Sequence, residues 1–412
     1  MMVAARRLDE APLVRLAIVV SHPIQHFVPF YRALSQRSEI ELTVIYASRI
    51  GVEPYFDRDM NTEISWNMDL LGGYDHVFLP EADTITRSGP LTVNNPSVGA
   101  ALADIRPDAV LIYGYSQLTS LRALWWCRRE KVPAMMISDS ELRQARSGTR
   151  HAVKKMALPI VLKQFSAFLT VGDCNEDYYR HYGVPEQRLF RSPFTIDEAL
   201  YRGARSDRTQ RRTEARARYG IDDGDLVFLT VGKINERKRS ADVVAVARRL
   251  RGETSPPIRF LLAGNGALMD ELSEEIEREK LPVTMAGFVN VDVLPDLYAA
   301  ADAILHPSSK DPHPLVMSEG ACLGLPLLIS DRVGAAGPTD IARPGENAMI
   351  FPCGDVEAIC QAVQMLANDA ALRQTMANRS VGIFEELDME RSVQGVVDAL
   401  AFCLNGTLAT EG

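Results

Sequence analysis

The chain alternates short apolar runs with longer amphipathic segments. In its first half the runs cover residues 15–20, 41–46, 108–113, 133–138 and 167–172; in its second they cover 226–232, 258–264, 283–287, 302–307, 326–330 and 348–351. Runs this short and this continuously apolar predict strands of parallel sheets, buried by helices on both faces. The alternation occurs twice, which predicts an α/β chain of two Rossmann-like, doubly wound domains facing a cleft. The break falls in the polar, Arg-rich stretch 201–225, read as a surface helix and turn opening the second domain. This gives a first domain over 1–200, a second over 201–384, and a terminal segment, 385–412. In that segment Val393, Val396, Val397, Leu400 and Leu404 share a helical face that must be buried somewhere, for instance back on the first domain. The longest apolar stretch, 156–172, is interrupted by Lys163 and Gln164 and predicts a helix leading into a strand. Uninterrupted runs of about 18 apolar residues, as a membrane span needs, are absent.

Composition narrows the class. The chain has 412 residues, 46% apolar and 24% charged, enough for two cores and typical of a globular protein. A formal net charge of −9 argues against nucleic acid as a partner. The six cysteines show no metal-ligand spacing and read as buried thiols in a reducing cytoplasm. Against this acidic background, residues 122–155 hold nine Lys or Arg and three acids. The dense part, from Arg143 to Lys155, is either a solvated helix face or a patch for an anionic acceptor or membrane surface.

Ligands of doubly wound sheets bind beyond the carboxyl ends of the strands, so the residues after each run are the candidates. One run ends in "GKINERK", where Gly232 precedes Lys233 and Lys238 follows five residues later. A strand end, a glycine and two cations suit a diphosphate; a charged solvent loop is the alternative. In "GNGALMDEL", Gly264 and Gly266 flank Asn265 and allow either close approach to a ligand or a tight turn into a helix. In "SSKDPHPLVMSEG", Asp311 sits in a loop among Pro307, Pro312 and Pro314, and Glu319 sits on a helix expected to start near Leu315. Two such carboxylates can accept hydrogen bonds from sugar hydroxyls and grip a ribose diol; they serve equally as a turn residue and a helix-dipole partner. The helix start would favour an anion. After the first run, "SHPIQHF" places His22, Gln25 and His26 where a base, a phosphate donor or an ordinary loop residue would stand. Asp57-Arg58-Asp59 has the DxD form of metal–nucleotide sites, but it lies in a polar stretch and is expected to follow no strand, and no metal site is expected there.

Taken in order, "VGKINERK", "AGNG", "AGFV", "LHPSSKDPHPLVMSEGACLGLPLLISD" and "PGENAMIFPCGD", all within 225–355, resemble the family 4 retaining glycosyltransferases; "SHPIQHF" and "YGVPEQRL" support the match in the first half. The resemblance implies a GT-B fold and metal-independent transfer of a sugar from a nucleotide-sugar with retention at the anomeric carbon. By the matching positions, Lys233 and Lys238 hold the donor diphosphate and Asp311 the donor sugar. Glu319 holds the ribose, and Phe288 and Val289 lie against the base. Gly232, Gly264, Asn265, Pro314, Leu315 and Val316 complete the donor side, and His22, Gln25, His26, Tyr115 and Asp139 face the acceptor or phosphates. A UDP- or GDP-sugar serves as co-substrate with no further cofactor. The acceptor is a glycan, a polyprenol-linked glycan or a small molecule. The implied setting is bacterial polysaccharide or glycolipid assembly, in the cytoplasm or at the inner face of the plasma membrane. A nucleotide-sugar epimerase of the same fold and a non-catalytic nucleotide-sugar-binding partner are the alternatives.

Five departures concern the donor sugar and the acceptor. The first carboxylate of the family's E-x7-E pair is Asp311, and the usual Phe-Gly after it is His313-Pro314, where proline has no N–H to donate. A common glycine pair after the first strand is replaced by the stretch from His22 to His26. A histidine common near Tyr113 to Tyr115 is missing, and Asp139 stands where another often occurs.

Overall fold

A computed structural model describes residues 13–57, 59–143 and 149–408, without the side chains of 149–155 and 406–408. The described residues build two parallel sheets and one small hairpin. The first sheet comprises β1 (Val14–Val20), β2 (Ile40–Tyr46), β5 (Asp75–Phe78), β6 (Ala109–Tyr113), β7 (Ala134–Ser138), β8 (Ala167–Thr170) and β9 (Leu189–Arg191). Between β2 and β5 lies the hairpin of β3 (Tyr55–Asp57) and β4 (Thr62–Ile64). The second sheet comprises β10 (Leu226–Val231), β11 (Ile258–Ala263), β12 (Val283–Gly287), β13 (Ala303–His306), β14 (Leu327–Ser330) and β15 (Ala348–Phe351). The orders are β5-β2-β1-β6-β7-β8-β9 and β12-β11-β10-β13-β14-β15. Each sheet thus winds outward in both directions from its first strand, and the direction reverses between β1 and β6 and between β10 and β13.

Alternate side chains of each strand enter different cores, which explains the continuous apolar runs. Leu16, Ile18 and Val20 face one layer of the first sheet, while Ala17 and Val19 face the other. In the second sheet Val227 and Leu229 face one layer and Phe228 the other. The terminal helix Met389–Leu408 buries Val393, Val396, Val397 and Leu400 in the core of the first sheet, where Leu404 also packs. A Cβ at Gly395 would lie 2.2 Å from the Arg191 carbonyl, so this glycine permits the helix to close on β9.

Two expectations change and a third is not reached. The Arg-rich stretch is not a simple surface helix: in the helix Arg208–Arg218, Arg208, Arg212 and Arg216 donate to carbonyls of Ala299, Ala300 and Ala301, and Arg216 is 1% exposed while paired with Asp302. These guanidinium groups satisfy the carbonyls at the end of the helix Leu294–Ala300. The DxD stretch does follow a strand, since Asp57 ends β3; strands of three residues are too short to show a period. The basic segment lies largely outside the described residues, which include only Arg143 and the backbone from 149 onward. Among the described residues no helix is long and apolar enough to cross a membrane.

Candidate functional site

The loops after β1 and β10 meet around a cavity of about 470 Å³, a size that suits a small ligand. Gly232, Lys233, Gly264, Phe288, Val289, Leu315 and Glu319 line it from the second lobe, and Gln25 and His26 from the first. The wall is mostly apolar, through Trp66, Met68, Leu200 and Leu294 among others. Two glycines make the floor possible. A Cβ at Gly264 would lie 1.8 Å from the Gly232 carbonyl, and one at Gly266 would lie 2.5 Å from that of Ile234. The GxG therefore serves the approach of one loop to the other. Asn265 itself turns inward, accepting from Gly266 N–H at 2.8 Å through Oδ1, and does not line the cavity.

The two lysines are placed differently. Lys238 closes a short helical turn, Glu236–Lys238, which the Asn235 side chain caps by accepting the Lys238 amide at 3.0 Å. Its ammonium pairs with Asp311. His306 Nε2 lies 2.8 Å from the same carboxyl. Burial opposes the Asp311 charge, but His306 and Lys238 more than offset it and hold the carboxyl well below the usual carboxylate range. Burial pushes the His306 pKa down, and the Lys238 charge adds to this. The loop is fixed from behind: the Gly334 amide donates to the Asp311 carbonyl at 2.8 Å. Lys233 projects from the strand end to the first lobe, where its ammonium lies 3.2 Å from both Asp57 oxygens and 3.1 Å from Asp59. No feature of the sequence signals this contact.

Glu319 occupies the helix Val316–Cys322, facing the cavity, and accepts a short hydrogen bond from the Tyr298 hydroxyl. Burial raises its pKa, against the lowering by Tyr298 and Tyr201. Phe288 meets the Trp66 ring edge-on at 6.2 Å between centroids. Pro314 is buried and Val316 belongs to the core of the second sheet, so neither lines the cavity. The helix is turned so that Leu315 and Glu319, four apart, share the exposed face.

In the first lobe His22 and His26 are desolvated without a counter-charge, and burial lowers both to about 4. Ser21 Oγ lies 2.8 Å from His22 Nδ1, and His26 packs on Phe27 and Phe194. Burial raises the Asp139 pKa, opposed in part by His313. Tyr115 does not reach the cavity: its hydroxyl bonds that of Tyr178 at 2.7 Å and its ring packs on the first-lobe core. His313, replacing the expected backbone donors, is buried with Nε2 3.1 Å from Asp340. A carboxylate only accepts, so Nε2 carries the proton and donates. Among the described residues no group of three or more His, Cys, Asp or Glu is arranged to hold a metal ion.

Comparison with known proteins agrees with this geometry. The family described as glycosyl transferases group 1 matches residues 211–381. An alpha-D-kanosaminyltransferase from Streptomyces kanamyceticus is 26% identical over 240 residues, 57% of this chain and 58% of the relative. An N-acetyl-alpha-D-glucosaminyl L-malate synthase from Bacillus anthracis is 26% identical over 200 residues, 48% of this chain and 49% of the relative. The chain thus spans about half the length of the curated relatives it matches. In the solved structure of Anabaena HepE in complex with UDP, the likeness covers 94% of this chain and 100% of that one, with a TM-score of 0.69 and 15% identity. Residues 211–381 are thus similar to the glycosyl transferases group 1 family, and the two facing sheets give the chain the GT-B fold.

Proposed function

We propose that this chain is a retaining, metal-independent glycosyltransferase of the family 4 type, moving a sugar from a UDP- or GDP-sugar to a hydroxyl of a glycan, lipid-linked or small-molecule acceptor, most simply in bacterial polysaccharide or glycolipid assembly. The observation that carries it is the convergence at one switch point of Lys233, Lys238 and Glu319, beside an apolar cavity faced by the other lobe. The lysines take the charge that develops on the departing diphosphate, in a cleft of reduced dielectric where fixed charges act strongly. Glu319 accepts from the ribose hydroxyls, and Phe288 with Val289 covers the base. Asp311, ionised and braced by His306, orients Lys238 and faces the donor sugar. In the transfer the bond from anomeric carbon to phosphate oxygen breaks and a bond to the acceptor oxygen forms on the same face. The acceptor proton goes to the departing phosphate oxygen, so no protein nucleophile is required.

A thermal-shift screen of nucleotide-sugars tests this reading. The matching donor at 100 times its Kd adds about 2.7 kcal/mol of stability, and the gain disappears in Glu319→Ala. HepE holds UDP, which makes UDP-sugars the first choice. Incubation without acceptor separates the alternative: an epimerase returns an isomeric nucleotide-sugar. No shift with any nucleotide-sugar would sink the assignment.

A further inference from the structure

Both lysines of the site already hold a carboxylate, and the two arrangements differ. The partner of Lys238 is Asp311 of its own lobe, whose side chain is 11% exposed and also bonded to His306. The partners of Lys233 come from the other lobe: the Asp57 side chain is 18% exposed and accepts from the Asp59 and Met60 amides, while the Asp59 side chain is 78% exposed. The first arrangement lies within one lobe; the second bridges the two and is open to solvent at Asp59.

The segment bearing Asp57 and Asp59 is itself anchored. Downstream of the hairpin, the Asn290 amide donates to the Ser65 carbonyl at 2.6 Å, and the Asn67 N–H donates to Asn290 Oδ1 at 3.2 Å. Trp66, Asn67 and Met68 then form one wall of the cavity. The carboxylates are thus delivered to Lys233 by a folded segment fastened at the cavity rim.

We propose that Asp57 and Asp59 are positioning residues of the donor site: they hold the Lys233 ammonium at the cleft as internal competitors of the donor diphosphate, and yield it when the diphosphate enters. The inference rests on the reading that Lys233 binds donor phosphate. A tethered carboxylate competes at a high effective concentration, so it weakens diphosphate binding and returns to the lysine when the nucleoside diphosphate departs. A nucleoside, which carries no phosphate, leaves the pairs intact.

The test is calorimetric binding of inorganic pyrophosphate, UDP, GDP and the two nucleosides to the full chain, with a metal chelator present. In Asp57→Asn/Asp59→Asn, pyrophosphate and the preferred nucleoside diphosphate bind roughly two- to five-fold tighter, the range open to a partly exposed ion pair, while the nucleoside is unchanged. Asp57→Glu/Asp59→Glu restores the weaker binding, which a purely structural role of the hairpin would not do. Unchanged or weaker diphosphate binding in the Asn variant overturns the proposal. So does weakening that appears only on adding Mg²⁺, because the carboxylates would then share a cation with the phosphates. If wild type binds diphosphate and Lys233→Ala abolishes it, but the Asn variant gains nothing, this inference alone fails. If wild type binds neither pyrophosphate nor a nucleoside diphosphate, the donor reading fails with it.

Discussion

The two lobes share a strand order and place opposite chemistry at the same topological point. Beyond β1, His22 and His26 are half-buried without a counter-charge and stay neutral. Beyond β10 and β13, Lys238, Asp311 and His306 are buried together, and Asp311 stays charged. Burial is common to both, so the presence of a partner decides the charge state. At these strand ends the second lobe keeps fixed charges and the first presents uncharged, polarisable groups; the carboxylates that the first lobe brings to the cleft, Asp57 and Asp59, come from the hairpin instead. That division suits a reaction in which one lobe grips a diphosphate and the other admits a neutral sugar hydroxyl.

The sharpest way to break the comparison is steric. Gly264 and Gly114 each follow a strand of their lobe, and both have positive φ, +142° and +71°. An added Cβ at Gly264 would collide with the Gly232 carbonyl, whereas at Gly114 it meets nothing within 4 Å. Gly264→Ala is expected to cost about 3 kcal/mol from overpacking and backbone strain, and Gly114→Ala about 1 kcal/mol. Denaturant unfolding of both variants measures the difference; equal costs would show that the second-lobe loops are not locked. A smaller effect follows from removing charge. Lys238→Ala is expected to cut turnover at least roughly tenfold, about 1.4 kcal/mol of barrier, while the fold persists through the His306–Asp311 bond. Wild-type rates in this variant would leave the second lobe without its proposed role.

These contrasts show which parts of the molecule were legible in the sequence. Central strands such as β10 and β13 are apolar on both faces and stand out. The edge strands β5 and β9 carry Asp75, His76 and Arg191 and are only partly buried, so they pass for loops. Lys233, Asp311 and Glu319 could be found because they sit just beyond legible strands. Trp66, Tyr298 and Asp340 could not, since each reaches the site from a distant segment and only packing brings it there; the Asp57–Asp59 pair was visible as a DxD motif, but its contact with Lys233 was not. The His313-Pro314 departure was visible, but its consequence, a buried histidine oriented by Asp340, depends on a residue 27 positions away.

The first lobe offers the finest test, through pH. Folding lowers the pKa of His22 and His26 from the ordinary 6.5 to about 4. Between these values the unfolded chain binds protons that the folded chain excludes. Stability is therefore complete above about pH 6.5, falls as the pH drops through the window, and levels off below about 4. From pH 7 to pH 6 each histidine is expected to cost about 0.7 kcal/mol. Other groups titrate in acid too, so the informative quantity is the difference between wild type and His26→Gln. The variant should lose about 0.7 kcal/mol less over that step, as seen in paired denaturant melts. Asp311 supplies the contrast within the same experiment: with its pKa lowered, its stabilisation persists across this interval and is lost only in stronger acid. An unchanged slope in His26→Gln would mean that His26 carries a charge in the folded protein, and the two lobes would then differ less in electrostatics than in shape.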